Sequence, residues 1–197
     1  MRAVIRELFE TVILALLIIL ALHMSVQNFR VQGPSMRPTL EEDDYVIVNK
    51  LVYLRFDAEQ LSRFIPFVSF DEDDDQLLFP FHPPKRGEVI IFRFPRDDRR
   101  DFVKRVVGVP GDALTVVDGQ LYVNGELQVG ARVNDRNQPN IPEEVLPDTY
   151  FVLGDNRDSS NDSRDWGAVP VDNIIGRAWM SFWPLDRWHL LGAFQPR

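Results

Sequence analysis

The chain has 197 residues, with 30 acidic side chains against 22 basic ones and a net charge of −8, which suits one domain with a real core and excludes the basic footprint of a nucleic-acid binder. It has no cysteine, so disulfides, thiol chemistry and thiolate metal sites are excluded. Its three histidines, His23, His82 and His189, are scattered, and none stands beside a second ligand type at a metal-binding spacing, so neither a metal nor a cofactor is expected.

Residues 11–29 include no Asp, Glu, Lys or Arg, and residues 12–22 are wholly apolar. At ~1.5 Å rise per residue, such a helix just crosses a hydrocarbon core of about 30 Å. An apolar surface all round argues for a transmembrane helix over a buried core helix. No small-x-small cleavage site follows Leu22, so the segment reads as an uncleaved signal anchor. The expected division is an anchor over residues 1–30 and a β-rich domain over residues 31–197. Arg2 and Arg6 on one side balance Arg30 and Arg37 on the other, so the charges leave orientation undecided.

Gly33-Pro34-Ser35-Met36-Arg37-Pro38-Thr39-Leu40 follows. Each proline fixes its own φ and biases the residue before it toward extended backbone, so Ser35 is expected on a stiff, extended, non-helical piece of chain. Residues 45–52 are rich in β-branched side chains and read as a strand. Residues 55–84 are irregular, with an aromatic run at 64–70 and an acidic run at 71–75. The aromatic part either dips into a lipid interface or folds back over the core. The acidic part reads as a solvated loop tip, without the spacing of an EF-hand calcium site.

Residues 88–94 read as a strand, 95–100 as its turn and 102–107 as the returning strand. Asp118-Gly119 and Asn124-Gly125 are hairpin signals, because type I′ turns need positive φ at both central residues. Residues 132–147 are polar and punctuated by proline, hence a loop. Residues 149–153 form an apolar strand, 169–175 hold one helical turn and 176–182 make a final strand. The fold class is mainly β, an antiparallel domain after one N-terminal transmembrane helix.

Three stretches, in order, carry a resemblance. They are Ser35-Met36-Arg37-Pro38-Thr39-Leu40; then Arg86-Gly87-Glu88-Val89-Ile90 with Lys104-Arg105-Val106-Val107-Gly108-Val109-Pro110-Gly111-Asp112; then Gly154-Asp155-Asn156-Arg157-Asp158 with Asp162-Ser163-Arg164. The chain thereby resembles type I signal peptidases, membrane-anchored Ser/Lys endopeptidases, from its N-terminus to about Trp183. The resemblance implies a single-pass membrane protein with its catalytic domain outside the cytoplasm. The implied substrates are the signal peptides of preproteins, with membrane lipid as the other partner.

The residues of the second stretch suit that chemistry. Along an alternating strand, Phe102, Lys104 and Val106 share one face, an environment that desolvates an ammonium and lowers its pKa. A neutral amine is what a Ser/Lys mechanism needs from its base. On the strand alone, the commoner reading is a lysine snorkelling from a sheet edge; the resemblance makes Lys104 the general base and Ser35 the nucleophile. It also implies an ion pair between Arg105 and Asp155, a Ser160 hydroxyl bonded to the lysine amine, and support for both from Asp162 and Arg164. The Ser35 N–H is a candidate donor to the oxyanion. Gly33 stands where some family members carry a serine, which leaves two readings: backbone donors act alone, or glycine is required for its backbone conformation. Two other functions share these features, a self-processing Ser/Lys protease and a non-enzymatic membrane-tethered β domain.

Overall fold

The computed structural model describes residues 2–53, 56–57, 77–78, 82–134, 136 and 138–192. Helix α1 (Arg2–Ser25) runs directly into strand β1 (Val26–Arg30). There follow β2 (Tyr45–Asn49), β3 (Phe56–Asp57), β4 (Leu77–Leu78), β5 (Val89–Phe94), β6 (Asp97–Gly108), β7 (Leu114–Val117), β8 (Gln120–Val123), β9 (Glu126–Arg132) and β10 (Thr149–Leu153). The short helix α2 (Ser163–Trp166), β11 (Val169–Pro170), β12 (Ile174–Trp183) and β13 (His189–Leu190) complete the chain.

An antiparallel sheet of eight strands has the order β1-β2-β12-β5-β6-β10-β11, with β13 paired to β12. A second sheet, β7-β8-β9, is a meander. Its two hairpins turn at Asp118-Gly119 (φ 50° and 70°) and Asn124-Gly125 (φ 49° and 79°), the left-handed pairs that the Asp-Gly and Asn-Gly signals require.

β5 is central and buried on both faces. Val89 and Ile91 pack with Val31, Met36, Leu40, Val46, Val48 and Ala178. Ile90 and Phe92 pack with Val106, Tyr150, Val152, Trp166 and Val169. Residues one apart on a strand point to opposite faces, so one strand serves two cores. The meander closes a third around Val107, Leu121, Val123, Phe151 and Leu153. Phe92 is 0% exposed, and truncating it to alanine should cost about 3–5 kcal/mol.

Several boundaries differ from the sequence expectation. The uncharged stretch reaching Phe29 divides at Ser25, and Val26–Arg30 pairs with β2 in full register. β2 stops at Asn49 because the Asn49 carboxamide oxygen accepts from Leu51 N (2.9 Å) and Val52 N (3.2 Å), which turns the chain. β6 begins at Asp97, paired with Phe94, so the turn shrinks to Pro95-Arg96. The helical turn near 169–175 is a 3-10 turn, Val171–Asn173. The aromatic run 64–70 and the acidic run 71–75 lie outside the described residues.

Every large apolar side chain of α1 from position 8 to position 20 is at least 40% exposed. Among the described residues, no helix is long and apolar enough to cross a membrane.

Candidate active site

Ser35 sits on a turn, not on an extended segment. Arg37 N donates to Pro34 O (3.2 Å) and Leu40 N to Met36 O (2.9 Å), so local backbone bonds override the extended bias of the prolines. Met36 and Leu40, each 0% exposed, pin the turn into the core and leave Ser35 half-buried at its rim. Gly33 has φ +79°, and nothing lies within 4 Å of where its Cβ would be. Glycine is needed there for backbone conformation, not for space.

Lys104 enters from β6, 69 positions away in sequence. Its Nζ lies 2.9 Å from Ser35 Oγ and donates to Val103 O at 2.9 Å. The amine is 5.2 Å from the centre of the Phe102 ring. Lys104 is only 4% exposed and forms no ion pair among the described residues. Burial pushes its pKa down to about 8, against the opposing pull of the Asp162 and Asp155 carboxylates.

Arg105, one residue on, is as buried at 3% but is fully engaged. Its Nε and Nη2 donate to the two carboxylate oxygens of Asp155 at 2.7 and 2.6 Å, and its Nη1 to Gly87 O at 2.6 Å. A longer contact of 3.4 Å reaches Thr39 Oγ1 in the Ser35 turn. The bidentate fork pairs this guanidinium and fixes its orientation.

The loop from Gly154 to α2 forms the wall behind the pair. Asp162 is 0% exposed and caps α2; it accepts from Gly154 N (3.1 Å), Arg164 Nε (2.9 Å) and Arg164 Nη2 (3.0 Å). Arg164 also donates to Arg132 O (3.1 Å) and Arg157 O (2.6 Å), which ties the loop to β9. One expected contact is missing: the Ser160 hydroxyl is buried without a hydrogen-bond partner among the described residues, and the Lys104 amine uses Val103 O and Ser35 Oγ instead. Ser160 packs instead against Gly154, where a Cβ would overlap Ser160 Oγ and Ser35 O.

Three wall residues escaped the sequence reading. Gly154 permits the close approach just described. Ser163 Oγ accepts from Val152 N at 2.9 Å and so joins the wall to β10. Asn156 bonds the Ser35 turn, its N–H donating to Ser35 O (3.0 Å) and its Nδ2 to Pro34 O (3.1 Å). In sequence these are a glycine, a serine and an asparagine in a polar loop, with nothing local to separate them from their neighbours.

Ser35 and Lys104 open onto a cleft of about 550 Å³. Phe29, Val31, Ile91 and Val103 give it an apolar lining, and residues 99–102 of β6 form one side.

Fold and cleft define a class: an antiparallel β protein that sets a serine hydroxyl against a buried lysine amine. The family model described as signal peptidase, peptidase S26, matches residues 5–183. A probable signal peptidase I-1 of Synechocystis sp. is 34% identical, over 96% of this chain and 88% of that protein. The signal peptidase I of Leptolyngbya laminosa is 34% identical over 94% and 83%, and that of Pseudomonas aeruginosa 33% identical over 81% and 66%. The chain belongs to the signal peptidase I family of serine endopeptidases.

Proposed function

We propose that the protein is a membrane-anchored signal peptidase that cuts signal peptides from preproteins, with Ser35 as nucleophile and Lys104 as general base. The observation that carries this reading is the 2.9 Å contact between Ser35 Oγ and an amine whose pKa burial lowers to about 8. The neutral amine accepts the hydroxyl proton as Ser35 Oγ attacks the scissile carbonyl. The Ser35 N–H donates to the oxyanion. The intermediate collapses, the C–N bond breaks, and Lys104 returns the proton to the leaving amine. Lys104 then takes a proton from the water that hydrolyses the acyl-enzyme. An extended peptide adds its backbone beside residues 29–33 and 101–104, which line the cleft.

Two features support lipid as the setting. The apolar surface of α1 is exposed over residues 8–20, and the uncharged run continues in sequence to residue 29. Trp179, Trp183 and Trp188 are 53%, 51% and 62% exposed, on and beside β12 and β13. These strands reach α1 through β2 and β1, and exposed tryptophans favour the membrane–water boundary. The catalytic domain then lies at the extracytoplasmic surface, where signal peptides emerge.

The test is cleavage of one preprotein by the full chain in lipid vesicles, with Ser35→Ala as control. The proposal expects cleavage at one site and none by the variant. Cleavage by Ser35→Ala, or no cleavage by either protein, would contradict it. Quenching of tryptophan fluorescence by brominated lipid tests the membrane contact, and unquenched fluorescence in protein whose helix is inserted would argue against the tryptophan rim.

A further inference from the structure

We infer that Asn156 sets the direction of the Ser35 backbone N–H and so positions the donor that meets the oxyanion. This rests on Ser35 being the nucleophile. A peptide unit is planar, and in its trans form the C=O and N–H point in opposite directions. Pro34 O and Ser35 N belong to one such unit, so whatever holds Pro34 O also aims the Ser35 N–H.

Pro34 O accepts from the Asn156 Nδ2 at 3.1 Å and from Arg37 N at 3.2 Å. The next carbonyl, Ser35 O, accepts from Asn156 N at 3.0 Å. One residue therefore fastens the peptide planes on both sides of Ser35, reaching across 122 positions of sequence. A carbonyl can only accept, so the carboxamide must present its NH2 here, and an aspartate could not substitute.

The peptide needs holding. Gly33 precedes Pro34 with φ +79° and open space around it, so neighbouring side chains do not restrain the backbone on that side. Position 33 also has no hydroxyl to share the oxyanion. Asn156 stands at the N-cap of the 3-10 turn Arg157–Ser159, where an asparagine side chain ordinarily bonds the N–H groups of its own turn. Here it makes no such capping bond and is spent on the Ser35 turn. Its backbone is fixed from the preceding residue, since Asp155 is clamped by Arg105.

The role is that of a positioning residue, and it predicts a distinctive kinetic pattern. With the full chain in detergent and one preprotein, Asn156→Ala should lower kcat roughly 10- to 100-fold, less than or up to the loss of a direct oxyanion donor. KM should stay within about threefold, because the side chain acts when charge develops and not when substrate docks. Affinity for a peptide boronate, which forms a tetrahedral adduct on serine, should fall in parallel with kcat/KM. The ascending limb of the pH profile should not move, because Lys104 is untouched. Asn156→Asp keeps size and backbone bond but turns the donor into an acceptor, so it should be at least as impaired. It serves as the folded comparison if the alanine variant is unstable.

An unchanged kcat in both variants overturns the inference. So does, in Asn156→Ala, a loss confined to KM, a shifted pH limb, or boronate affinity equal to wild type. Ser35→Ala is the separate control on the underlying reading: turnover in that variant would refute Ser35 itself, whatever Asn156 does.

Discussion

Lys104 and Arg105 are consecutive residues of β6, 4% and 3% exposed, yet one is left unpaired and the other is fully paired. Arg105 meets a carboxylate on two well-aligned bonds and a carbonyl on a third. Lys104 meets a hydroxyl and a carbonyl, both neutral. Burial raises the energy of any unpaired charge, so a buried cation must either be paired, as a guanidinium must, or be able to give up its proton, as an amine can. On the wall it is a permanent charge that braces the loop. In the cleft it is an amine that can lose its proton near neutral pH. The two regions touch through Asp162 and Asp155, whose carboxylates pull Lys104 toward its charged form without overcoming burial.

The largest effect that would break this contrast is on the cleft side. Ser35→Ala should reduce cleavage by at least roughly three orders of magnitude while leaving the denaturation midpoint unchanged, since it removes one hydroxyl from a half-buried rim position. Next is the base. Lys104→Arg keeps a cation that cannot deprotonate, and Lys104→Met keeps the volume without charge; both should be folded and inactive in the preprotein assay.

The same pair of variants sharpens the comparison through stability. A lysine pKa lowered from 10.5 to about 8 means that folding opposes the ammonium. The penalty is absent well above the unfolded value, grows as pH falls toward about 8, and is complete below it. Lys104→Met should therefore gain stability over wild type across that window, by about 3 kcal/mol at its lower end. Urea unfolding at several pH values reads this directly; a constant difference would mean the lysine is not desolvated.

On the wall the sign reverses. Asp155→Ala strands a buried guanidinium and should cost about 3–5 kcal/mol in urea unfolding. A wild-type midpoint in that variant would remove the distinction between the two cations. The smallest effect is expected from Ser163→Ala, which leaves the buried Val152 N–H without its acceptor, at about 1–3 kcal/mol.

Much of this was legible in the chain. The two Gly-containing turns and the alternating strands announced an antiparallel β domain, because positive φ and period-two burial are local properties. The approach of Ser35 to Lys104 was read from motif order alone; no property of either segment specifies a partner 69 residues away. The wall was the least legible part. Asp162, Ser163 and Arg164 look like any solvated loop until capping of α2 turns them inward, and Ser160 was assigned a bond to the amine that the packing against Gly154 does not make. The bend at Ser35 was missed because proline rules speak to single residues, whereas the turn is closed by bonds to Pro34 O and Met36 O.

The most direct measurement of the central claim is the titration of the Lys104 amine itself. The full chain labelled with 13C at lysine Cε, in detergent, should show one signal that titrates near pH 8 and is absent from Lys104→Met. If that signal instead titrates near the ordinary lysine value of 10.5, the amine is an ordinary ammonium at working pH and cannot serve as the base.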